Sequence, residues 1–328
     1  MRGKDLGDSL GMEKKTALQY NQKQEVVSVK TMLVTGGTVF VSRCAAAYFV
    51  KTGWKVHVLN RGNHPQPEGV TLIQSDRHML GDCLRGRHFD AVLDVTAYTA
   101  QDVNGLVDSL DSDGQYVLIS SSAVYPETEC QPFSEDTPTG RNQVWGLYGM
   151  GKVAAEQALL ERDPQAFILR PPYLYGPWNN VYREAFAFDC AMQNRPFYLP
   201  KDGSMKLQFL HVDDLCRFID ILLRKQLQQR VWNVGNPYSI SVRDWAALCY
   251  RAAGKEPAFA EVHKNELDQR AYFSFYDYEY ALDVHRQVEL MSDVKPLTDG
   301  LREAFTWYQT YPGLVRRKPL IHFIDTHL

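Results

Sequence analysis

The stretch TMLVTGGTVFVS, residues 31–42, joins a short apolar run to the beginning of a helix through two adjacent glycines. The alanine-rich segment that follows, Ser42–Lys51, predicts the helix itself, and Gly53 marks its end. A strand that enters a helix through a glycine turn directs backbone N–H groups and the helix N-terminus at an anion, commonly the pyrophosphate of a dinucleotide. The stretch therefore predicts the first β–turn–α unit of a dinucleotide-binding sheet.

Further short apolar runs follow, separated by polar segments of helix length. They are Val56–Leu59, Val70–Ile73, Ala91–Asp94, Tyr116–Ile119 and Ala166–Leu169. Nearly continuous apolar strands that alternate with helices indicate a parallel sheet that is covered on both faces. We therefore expect an α/β protein with a Rossmann-type doubly wound parallel sheet and a smaller C-terminal substrate lobe.

The composition and the hydrophobic pattern change along the chain and divide it into three parts. Residues 1–29 are polar without a clear apolar period, which is typical of a flexible extension, and they lack the apolar core of a signal peptide. Residues 30–172 carry the strand–helix alternation and are expected to form the dinucleotide-binding domain. Residues 173–328 become irregular and rich in Pro, Tyr and Trp, so we expect mainly a substrate-binding lobe, with some segments that return to the Rossmann domain.

Composition narrows the class of protein. Of the 328 residues 45% are hydrophobic and 23% charged, which excludes a disordered chain, a collagen-like repeat and a coiled coil. The net charge of −3 gives no global attraction to nucleic acid, and no apolar run approaches the roughly 18 residues of a membrane-spanning helix. The six cysteines form no CxxC pair, so no metal site is expected and a reducing cytosol is favoured. We expect a cytoplasmic protein with a small-molecule partner and no nucleic-acid or membrane partner; a homodimer stays open.

The second predicted strand ends in Asn60-Arg61-Gly62, where proteins that bind NAD often carry an acidic residue for the ribose hydroxyls. A basic residue at this place pairs with a 2′-phosphate, so the sequence favours NADP over NAD. The alternative, that Arg61 is only a solvated loop charge, stays open. After the third strand, Asp76 and its neighbour Arg77 stand where a carboxylate can accept a hydrogen bond from an adenine amino group.

A serine, a tyrosine and a lysine follow the fifth strand. Ser121 lies in the serine cluster directly after it, and Tyr148 and Lys152 are four residues apart at the start of a predicted helix, so both share one helical face. A phenol with a pKa of about 10 is a poor base at neutral pH, and a nearby ammonium favours the phenolate. The three side chains therefore predict an acid/base set that moves a proton on a carbinol while a nicotinamide cofactor takes the hydride.

Together with the glycine turn, these motifs resemble the extended branch of the short-chain dehydrogenase/reductase superfamily, which contains NAD-dependent epimerases and dehydratases. The closest resemblance is to an atypical subgroup whose turn reads TGGTxFxG, and it covers about residues 31–311. The markers are Thr35–Thr38, Ser120-Ser121, Tyr148 with Lys152, Arg170–Pro177, Phe209–Leu215 and Trp232–Gly235.

The resemblance implies roles for individual residues. It gives the catalytic roles to Ser121, Tyr148 and Lys152. The cofactor-binding residues that it implies are Gly36, Gly37, Thr38, Val39, Phe40, Val41, Asn60, Arg61, Asp76, Arg77, Thr96, Ala97, Tyr98, Tyr148, Lys152 and Pro171. The substrate-binding residues that it implies are Ser122, Tyr173 and Tyr175.

The sequence departs from the family pattern at two places. The extended pattern repeats glycine every three residues through the turn, but here Val39 and Ser42 follow Gly36; the atypical subgroup tolerates the valine but not the serine. Ser42 is expected to cap the helix, touch the pyrophosphate or push the helix outward. In the sugar-nucleotide enzymes of the family, an Asn and an Arg clamp the substrate diphosphate, and this chain has Tyr173 and Leu207 there.

These departures leave the substrate open. Lys206 stands beside Leu207, and Lys201, Arg217 or Arg286 offer substitutes for the missing diphosphate ligands, although each of the three is more often a surface charge. The leading hypothesis is an NAD(P)-dependent epimerase or reductase that acts on a carbohydrate-like substrate, and a nucleotide sugar stays open as that substrate. A dehydratase is disfavoured because Ser122-Ala123 replaces the expected Asp-Glu pair. The alternative is a non-catalytic, nucleotide-sensing or RNA-associated member of the same fold.

Three other features are expected to be structural. His211 is expected to be a packed histidine rather than a catalyst. The aromatic run of residues 272–280 is expected to form a buried edge of the second lobe, because no basic residues interleave with it. The basic triplet 316–318 is expected to be solvated.

Overall fold

A computed structural model describes residues 29–111, 114–263 and 266–328, so the expected extension of residues 1–29 lies outside the described residues except for its last residue. The strands are β1 Thr31–Thr35, β2 Lys55–Asn60, β3 Thr71–Gln74, β4 Ala91–Asp94, β5 Gln115–Ile119, β6 Phe167–Arg170, β7 Tyr173–Tyr175, β8 Phe197–Pro200, β9 Lys206–Leu207, β10 Phe209–His211, β11 Val231–Asn233, β12 Ile240–Ser241 and β13 Phe259–Val262. The α-helices are α1 Phe40–Lys51, α2 Ala100–Ser109, α3 Gly146–Arg162, α4 Glu184–Met192, α5 Val212–Arg224, α6 Val242–Ala252, α7 His285–Leu290, α8 Leu297–Thr310 and α9 Leu320–His327.

Seven strands form a parallel sheet in the order β11-β6-β5-β4-β1-β2-β3. The strand order reverses between β1 and β4, which in doubly wound sheets is the place where ligands bind, outside the carboxyl ends of the strands. The Rossmann-type sheet that the sequence predicts is confirmed, and the six predicted strands begin and end within one residue of the observed ones.

The connection between β3 and β4 differs from the expected alternation. Residues 75–90 contain turns and an isolated bridge but no helix. Gly81 and Gly86 have φ of +52° and +70°, a backbone conformation that interrupts a right-handed helix. The polar composition of this segment suited a helix, but its two left-handed glycines divide it into short turns.

Both faces of the sheet are buried. Met32 and Val34 of β1 pack with α1 and α5 on one face, and Leu33 between them packs with α2 and α3 on the other face. Residues that alternate along one strand thus enter two different cores, as expected for a sheet between two helical layers. The later segments α5 and β11 return to this sheet from the C-terminal half of the chain.

A third core lies in the second lobe, which α4, α6, α8 and α9 form with β8 and β13. This core is aromatic: the rings of Phe209 and Trp245, for example, stack with their centroids 5.8 Å apart. Tyr272, Phe273 and Phe275 are buried in it, which confirms the expected structural place of the aromatic run. No helix in the described ranges has both the length and the apolar character needed to cross a membrane.

Candidate active site

A cleft of about 410 Å³ opens at the carboxyl ends of the central strands, next to the second lobe. Its walls come from the turn before α1, the loop after β4, the loop after β5 and the loop after β6, with α3 on one side. Ser121, Tyr148 and Lys152 all line this cleft. The three residues that the sequence selects for acid/base chemistry therefore share one cavity with the start of α1, which directly follows the glycine turn.

Lys152 is held rigidly at the floor of the cleft. It is 2% exposed, and its Nζ donates hydrogen bonds to the carbonyl oxygens of Ala97, at 2.7 Å, and Ile119, at 2.8 Å. Burial lowers the pKa of this ammonium to about 8, although the nearby carboxylates of Asp94 and Glu156 oppose the shift. The loop after β4 and the last residue of β5 thus hold a lysine whose pKa is lowered to about 8.

Tyr148 stands on the same face of α3 and is 43% exposed. Its partial burial raises the pKa of the phenol, while a hydrogen bond with Ser121 and the guanidinium of Arg183 oppose that shift. The Lys152 ammonium donates to two carbonyl oxygens, and its expected support of the phenolate stays a prediction. Because burial raises its pKa above the usual value, Tyr148 is a neutral phenol at neutral pH, which suits a proton donor.

The glycine turn is shaped to approach an anion closely. Gly36 and Gly37 have φ of +88° and +94°, and a Cβ on Gly37 would lie 2.6 Å from Cγ1 of Val58. Among the residues that the structure describes, no side chain caps the N-terminus of α1, so the first N–H groups of this helix have no side-chain acceptor there. Uncapped N–H groups beside a glycine turn fit the pyrophosphate of a dinucleotide.

Ser42 occupies the place of the third family glycine without separating helix and turn. Its side chain is buried, and its Oγ donates a hydrogen bond of 2.9 Å to the carbonyl oxygen of Val39. A Cβ on Gly36 would lie only 2.8 Å from this Oγ, so the turn and α1 remain closely packed. Because the hydroxyl donates to a carbonyl rather than accepting from an N–H group, it is not a helix cap.

A second cleft of about 320 Å³ lies at the ends of β2 and β3, lined among others by Arg61, Asp76 and Arg77. Arg61 is exposed there, and its guanidinium has no hydrogen-bond or ion-pair partner in the described part of the chain. The amide of Asn60 donates to the carbonyl oxygen of Gly36 at 2.6 Å and to Gln66 at 3.0 Å. Asn60 therefore braces the glycine turn, while Arg61 is available to an anionic ligand.

Arg77, which lines this second cleft, is paired with the fully buried Asp94 behind it. The guanidinium of Arg77 bonds both carboxylate oxygens of Asp94, at 2.9 and 3.2 Å, and also the hydroxyl of Thr96. Thr35 and Tyr116 donate further hydrogen bonds to the same carboxylate, each at 2.7 Å. Arg77 lies in the predicted region, but its charge is already neutralised by Asp94, a partner that the sequence analysis did not select.

The predicted substrate residues divide between the cleft and the lobe core. Ser122 lines the cleft and donates to the hydroxyl of Tyr280 at 2.9 Å. Tyr173 also lines it, and its buried hydroxyl has no partner among the described residues. Tyr175 does not line the cleft; its ring packs in the interior, with its centroid 5.1 Å from that of His211.

The remaining cofactor residues lie around these two clefts. The first cleft is lined by Val39, Phe40, Val41 and Pro171, and the second cleft is lined by Gly36. Both clefts are lined by Thr96 and Tyr98. Neither cleft is lined by Gly37, Thr38 or Ala97. Lys201, Arg217 and Arg286, offered as diphosphate ligands, form ion pairs with Asp277, Asp293 and Asp136, respectively, and line neither cleft. The cleft instead contains Arg183, which the sequence analysis did not identify because no local motif marks it.

Outside the cleft, His211, Asp213 and Glu303 come close enough to resemble a metal site. The Nζ of Lys295 already bonds Asp213 at 3.0 Å and also pairs with Glu303. His211 is 1% exposed and its Nδ1 accepts from the N–H of Asp213, so it caps α5. Burial and Lys295 lower the pKa of His211 to about 4. The histidine is therefore the packed, neutral residue that the sequence analysis expects.

Residues 103–235 match the model of the NAD dependent epimerase/dehydratase family. Over 307 residues the chain is 26% identical to the chloroplast stem-loop binding protein of 41 kDa b from Arabidopsis thaliana. This match covers 85% of this chain and 79% of that protein. Over 234 residues it is 26% identical to dTDP-glucose 4,6-dehydratase from Streptomyces griseus, with 68% and 69% covered.

Solved structures share the fold. A UDP-glucose 4-epimerase from Thermotoga maritima, solved with UDP-glucose, superposes with a TM-score of 0.69 at 18% identity and covers 86% of this chain and 99% of its own. A dTDP-glucose 4,6-dehydratase from Bacillus anthracis in complex with NAD has the same TM-score and identity, with 89% and 100% covered. The chain thus shares the fold of these structures, its residues 103–235 match the model of the expected family, and the TGGTxFxG subgroup stays a prediction.

Proposed function

We propose that this chain, which carries a domain of the NAD-dependent epimerase/dehydratase family, is an enzyme that moves a hydride between a nicotinamide dinucleotide and a carbinol carbon of a carbohydrate-like substrate. The observation that carries the proposal is the convergence of Ser121, Tyr148 and Lys152 in the cleft that is also lined by the start of α1, directly after the glycine turn. Fold alone does not imply activity, so the proposal depends on this set of side chains.

The residues around the turn suit the dinucleotide. Gly36, Gly37 and the uncapped start of α1 would hold its pyrophosphate, and Asp76 and Arg61 would line its adenosine end. When bound, a nicotinamide ring supplies the hydride acceptor or donor. Arg61 supports NADP, because an exposed guanidinium without a protein partner gains charge-assisted hydrogen bonds from a 2′-phosphate.

The acid/base set would handle the proton of the substrate hydroxyl. The Tyr148 phenol donates that proton when the substrate carbonyl is reduced and accepts it in the reverse direction, and Ser121 holds the same oxygen by a hydrogen bond. The buried Lys152 ammonium stabilises the phenolate while that charge is present. Ser122 bonds Tyr280, and Ala123 carries no titratable group, which supports an epimerase or a reductase over a dehydratase.

The substitution Tyr148→Phe tests the proposal, because it removes one hydroxyl from a partly exposed side chain and leaves the ring in place. We expect turnover to fall by about 100-fold or more, the usual contribution of a positioned acid/base group, while NADP(H) binding and thermal stability stay within the range of the parent protein. Fluorescence titration of the cofactor and steady-state kinetics measure the two properties. Turnover within a factor of two of the parent protein would refute the role of Tyr148.

A second candidate function is binding of structured RNA, since the chain is 26% identical over 307 residues to a chloroplast stem-loop binding protein. The net charge of −3 and the presence of the Ser-Tyr-Lys set favour the enzyme. A gel-shift titration with a stem-loop RNA at 150 mM salt separates the two candidates. Binding of the RNA without detectable binding of NADPH or NADH would favour the RNA-associated protein. A cytoplasmic location and a homodimer stay predictions.

A further inference from the structure

A third cavity, of about 340 Å³, lies between the glycine turn and the C-terminal end of α8. Among the described residues, it shares only Val39 and Asn180 with the cleft of Ser121, Tyr148 and Lys152, which we call the catalytic cleft, and it shares none with the second cleft. Pockets that bind one small organic molecule commonly measure about 300–1,000 Å³. The third cavity is therefore large enough for a ligand of its own.

Aromatic side chains form much of its wall, namely Trp178, Trp307 and Tyr311, and we call the cavity the aromatic pocket. The rings of Trp178 and Tyr311 stack with their centroids 5.3 Å apart, and the centroid of Trp307 lies 5.8 Å from that of Trp178. The buried Nε1 of Trp307 has no hydrogen-bond partner in the described part of the chain. Rigid rings supply contact area at a low cost in conformational entropy, so this wall suits a flat ring.

Two arginines line the same pocket without carboxylate partners. The guanidinium of Arg43 lies over Trp178, 3.9 Å from the ring centroid, and its Nη1 donates to the carbonyl oxygen of Pro65 at 3.0 Å. The backbone N–H of Arg316 donates to the carbonyl oxygen of Asn180 at 2.9 Å, while its side chain is exposed.

No acidic side chain compensates these charges. Within residues 29–111, 114–263 and 266–328, neither Arg43 nor Arg316 forms an ion pair, and none of the residues there that line the pocket is an aspartate or a glutamate. By contrast, Lys201, Arg217 and Arg286 each have a carboxylate partner. A pocket with two uncompensated guanidiniums and no carboxylate attracts an anion.

The backbone of Trp178 supports a binding role for the pocket. Its φ is +68°, in the left-handed region that bulky residues rarely adopt. Such conformations persist where the surrounding structure enforces them, and they concentrate at ligand-binding sites. The contacts of the indole with Arg43 and Tyr311 hold it at the pocket wall despite this local strain.

We propose that the aromatic pocket binds a planar aromatic anion, at a site separate from the catalytic cleft. The ring of the ligand packs against Trp178 and Tyr311, and the guanidiniums of Arg43 and Arg316 bind its anionic group. Their paired N–H donors match the oxygens of a carboxylate or a phosphate. Because the acid/base residues line a different cavity, this ligand is not the reacting molecule, and the inference does not depend on the proposed function.

Calorimetric titration of the full chain at constant ionic strength tests this inference with four probes. Naphthylacetate and naphthyl phosphate carry the same ring with different anionic groups, naphthylacetamide is the neutral counterpart, and octanoate is an anion without a ring. We expect both aromatic anions to bind, the amide about tenfold more weakly than naphthylacetate and octanoate about fivefold more weakly. The tighter of the two aromatic anions identifies the anionic group that the site prefers. This comparison needs only the parent protein.

Variants then locate the bound anion, after thermal unfolding has confirmed that each of them folds. Arg43→Gln and Arg316→Gln each remove one charge, and Tyr311→Leu removes a partly exposed ring. We expect the aromatic anions to bind about tenfold more weakly to each arginine variant and about fivefold more weakly to Tyr311→Leu. Arg251→Gln, at an exposed arginine, and Arg183→Gln, at a cation of the catalytic cleft, are the controls and should leave the affinity unchanged.

The same titrations in the presence of saturating NADPH show whether the site is separate. Anion binding that persists with NADPH and weakens in the pocket variants supports the proposal. Complete displacement of the anions by NADPH overturns it, because the anions would then occupy the dinucleotide site. Equal affinity for naphthylacetate and its amide, unchanged affinity in both Arg43→Gln and Arg316→Gln, or no binding of either aromatic anion at millimolar concentrations also overturns it.

Discussion

Ser42 is the residue at which the turn departs furthest from the family pattern, and its buried hydroxyl is satisfied by the carbonyl oxygen of Val39. Since that bond lies within the first turn of α1, the side chain needs no ligand to satisfy it. At the scale of single residues, the structure thus favours the interpretation that Ser42 is tolerated by the close packing over the interpretation that it binds the pyrophosphate.

The substitution Ser42→Gly tests this interpretation. Glycine in the helix and the lost hydrogen bond should lower the free energy of unfolding by about 1–2 kcal/mol, measured by urea denaturation. NADP(H) affinity should stay the same or increase, because the side chain closest to Gly36 has been removed. Ser42→Ala, which keeps the Cβ, is the control. A clear loss of affinity in both variants would make the hydroxyl a cofactor ligand.

Arg61 determines the expected choice of cofactor. Its guanidinium is exposed and unpaired in the described chain, so Arg61→Ala removes no internal contact. We expect NADPH to bind about tenfold more weakly to the variant and NADH to be nearly unaffected, because only NADPH carries the 2′-phosphate. Fluorescence titrations measure both affinities, with Arg85→Ala as the exposed control. Parent protein that binds NADH more tightly than NADPH would contradict the assignment.

At the scale of elements, Asp94 ties the strands together at the point where the sheet order reverses. The carboxylate at the end of β4 accepts from Thr35 of β1, from Tyr116 of β5 and from Arg77 after β3. Burial alone would raise the pKa of Asp94, but the Arg77 guanidinium and these hydrogen bonds hold it below its usual value. The network therefore sets the relative position of the strands whose ends form both clefts.

We expect Asp94→Asn to lower the free energy of unfolding by about 3 kcal/mol or more at pH 7, because it leaves the mostly buried Arg77 without its main partner. The folded-state pKa of Asp94 lies below the unfolded value, so its stabilisation is present above the unfolded pKa and disappears as the pH falls through the folded pKa. Urea denaturation should therefore show a smaller difference in the free energy of unfolding between the parent protein and Asp94→Asn at pH 3 than at pH 7. The exposed Asp82→Asn should change stability by less than about 0.5 kcal/mol, and an equal effect of both substitutions would contradict the role of the network.

At the scale of the whole molecule, Arg317 fastens the C-terminal segment to the second lobe. Its Nε bonds the carboxylate of Asp189 in α4 at 3.0 Å, and the hydroxyl of Tyr182 donates to the same carboxylate at 2.7 Å. The basic triplet 316–318 was expected to be solvated; all three side chains are exposed, but Arg317 is fixed by an ion pair.

The substitution Arg317→Ala should lower the free energy of unfolding by about 1–2 kcal/mol, since Asp189 keeps its tyrosine donors. It should also speed hydrogen exchange in residues 311–328, measured by mass spectrometry. Arg316→Ala is the matched neighbour, an exposed arginine whose side chain has no partner in the residues that the structure describes. Exchange that is equally fast in both variants would show that the ion pair does not fasten this segment.

Sequence alone determined the parallel sheet, the glycine turn and the spacing of Tyr148 and Lys152, because each depends on contacts within a few residues of chain. Each of these local patterns indicates the same structure in most proteins. The patterns are an apolar run, a pair of glycines and a separation of four residues in a helix. The six predicted strands lie within one residue of the observed ones for this reason.

Tertiary structure decided the partners of the charged side chains. Arg77 meets Asp94 through adjacent loops and strands, and the amide of Asn60 reaches back to Gly36. Arg317 likewise bonds Asp189, which lies 128 residues earlier in the chain. Whether a charged side chain is neutralised depends on which distant segment of the chain packs against it. The packing of that segment depends in turn on how the hydrophobic cores are arranged in the folded protein. Sequence therefore determined where the chemistry of this protein lies, and only the folded chain decided which of its cations remain free to bind a ligand.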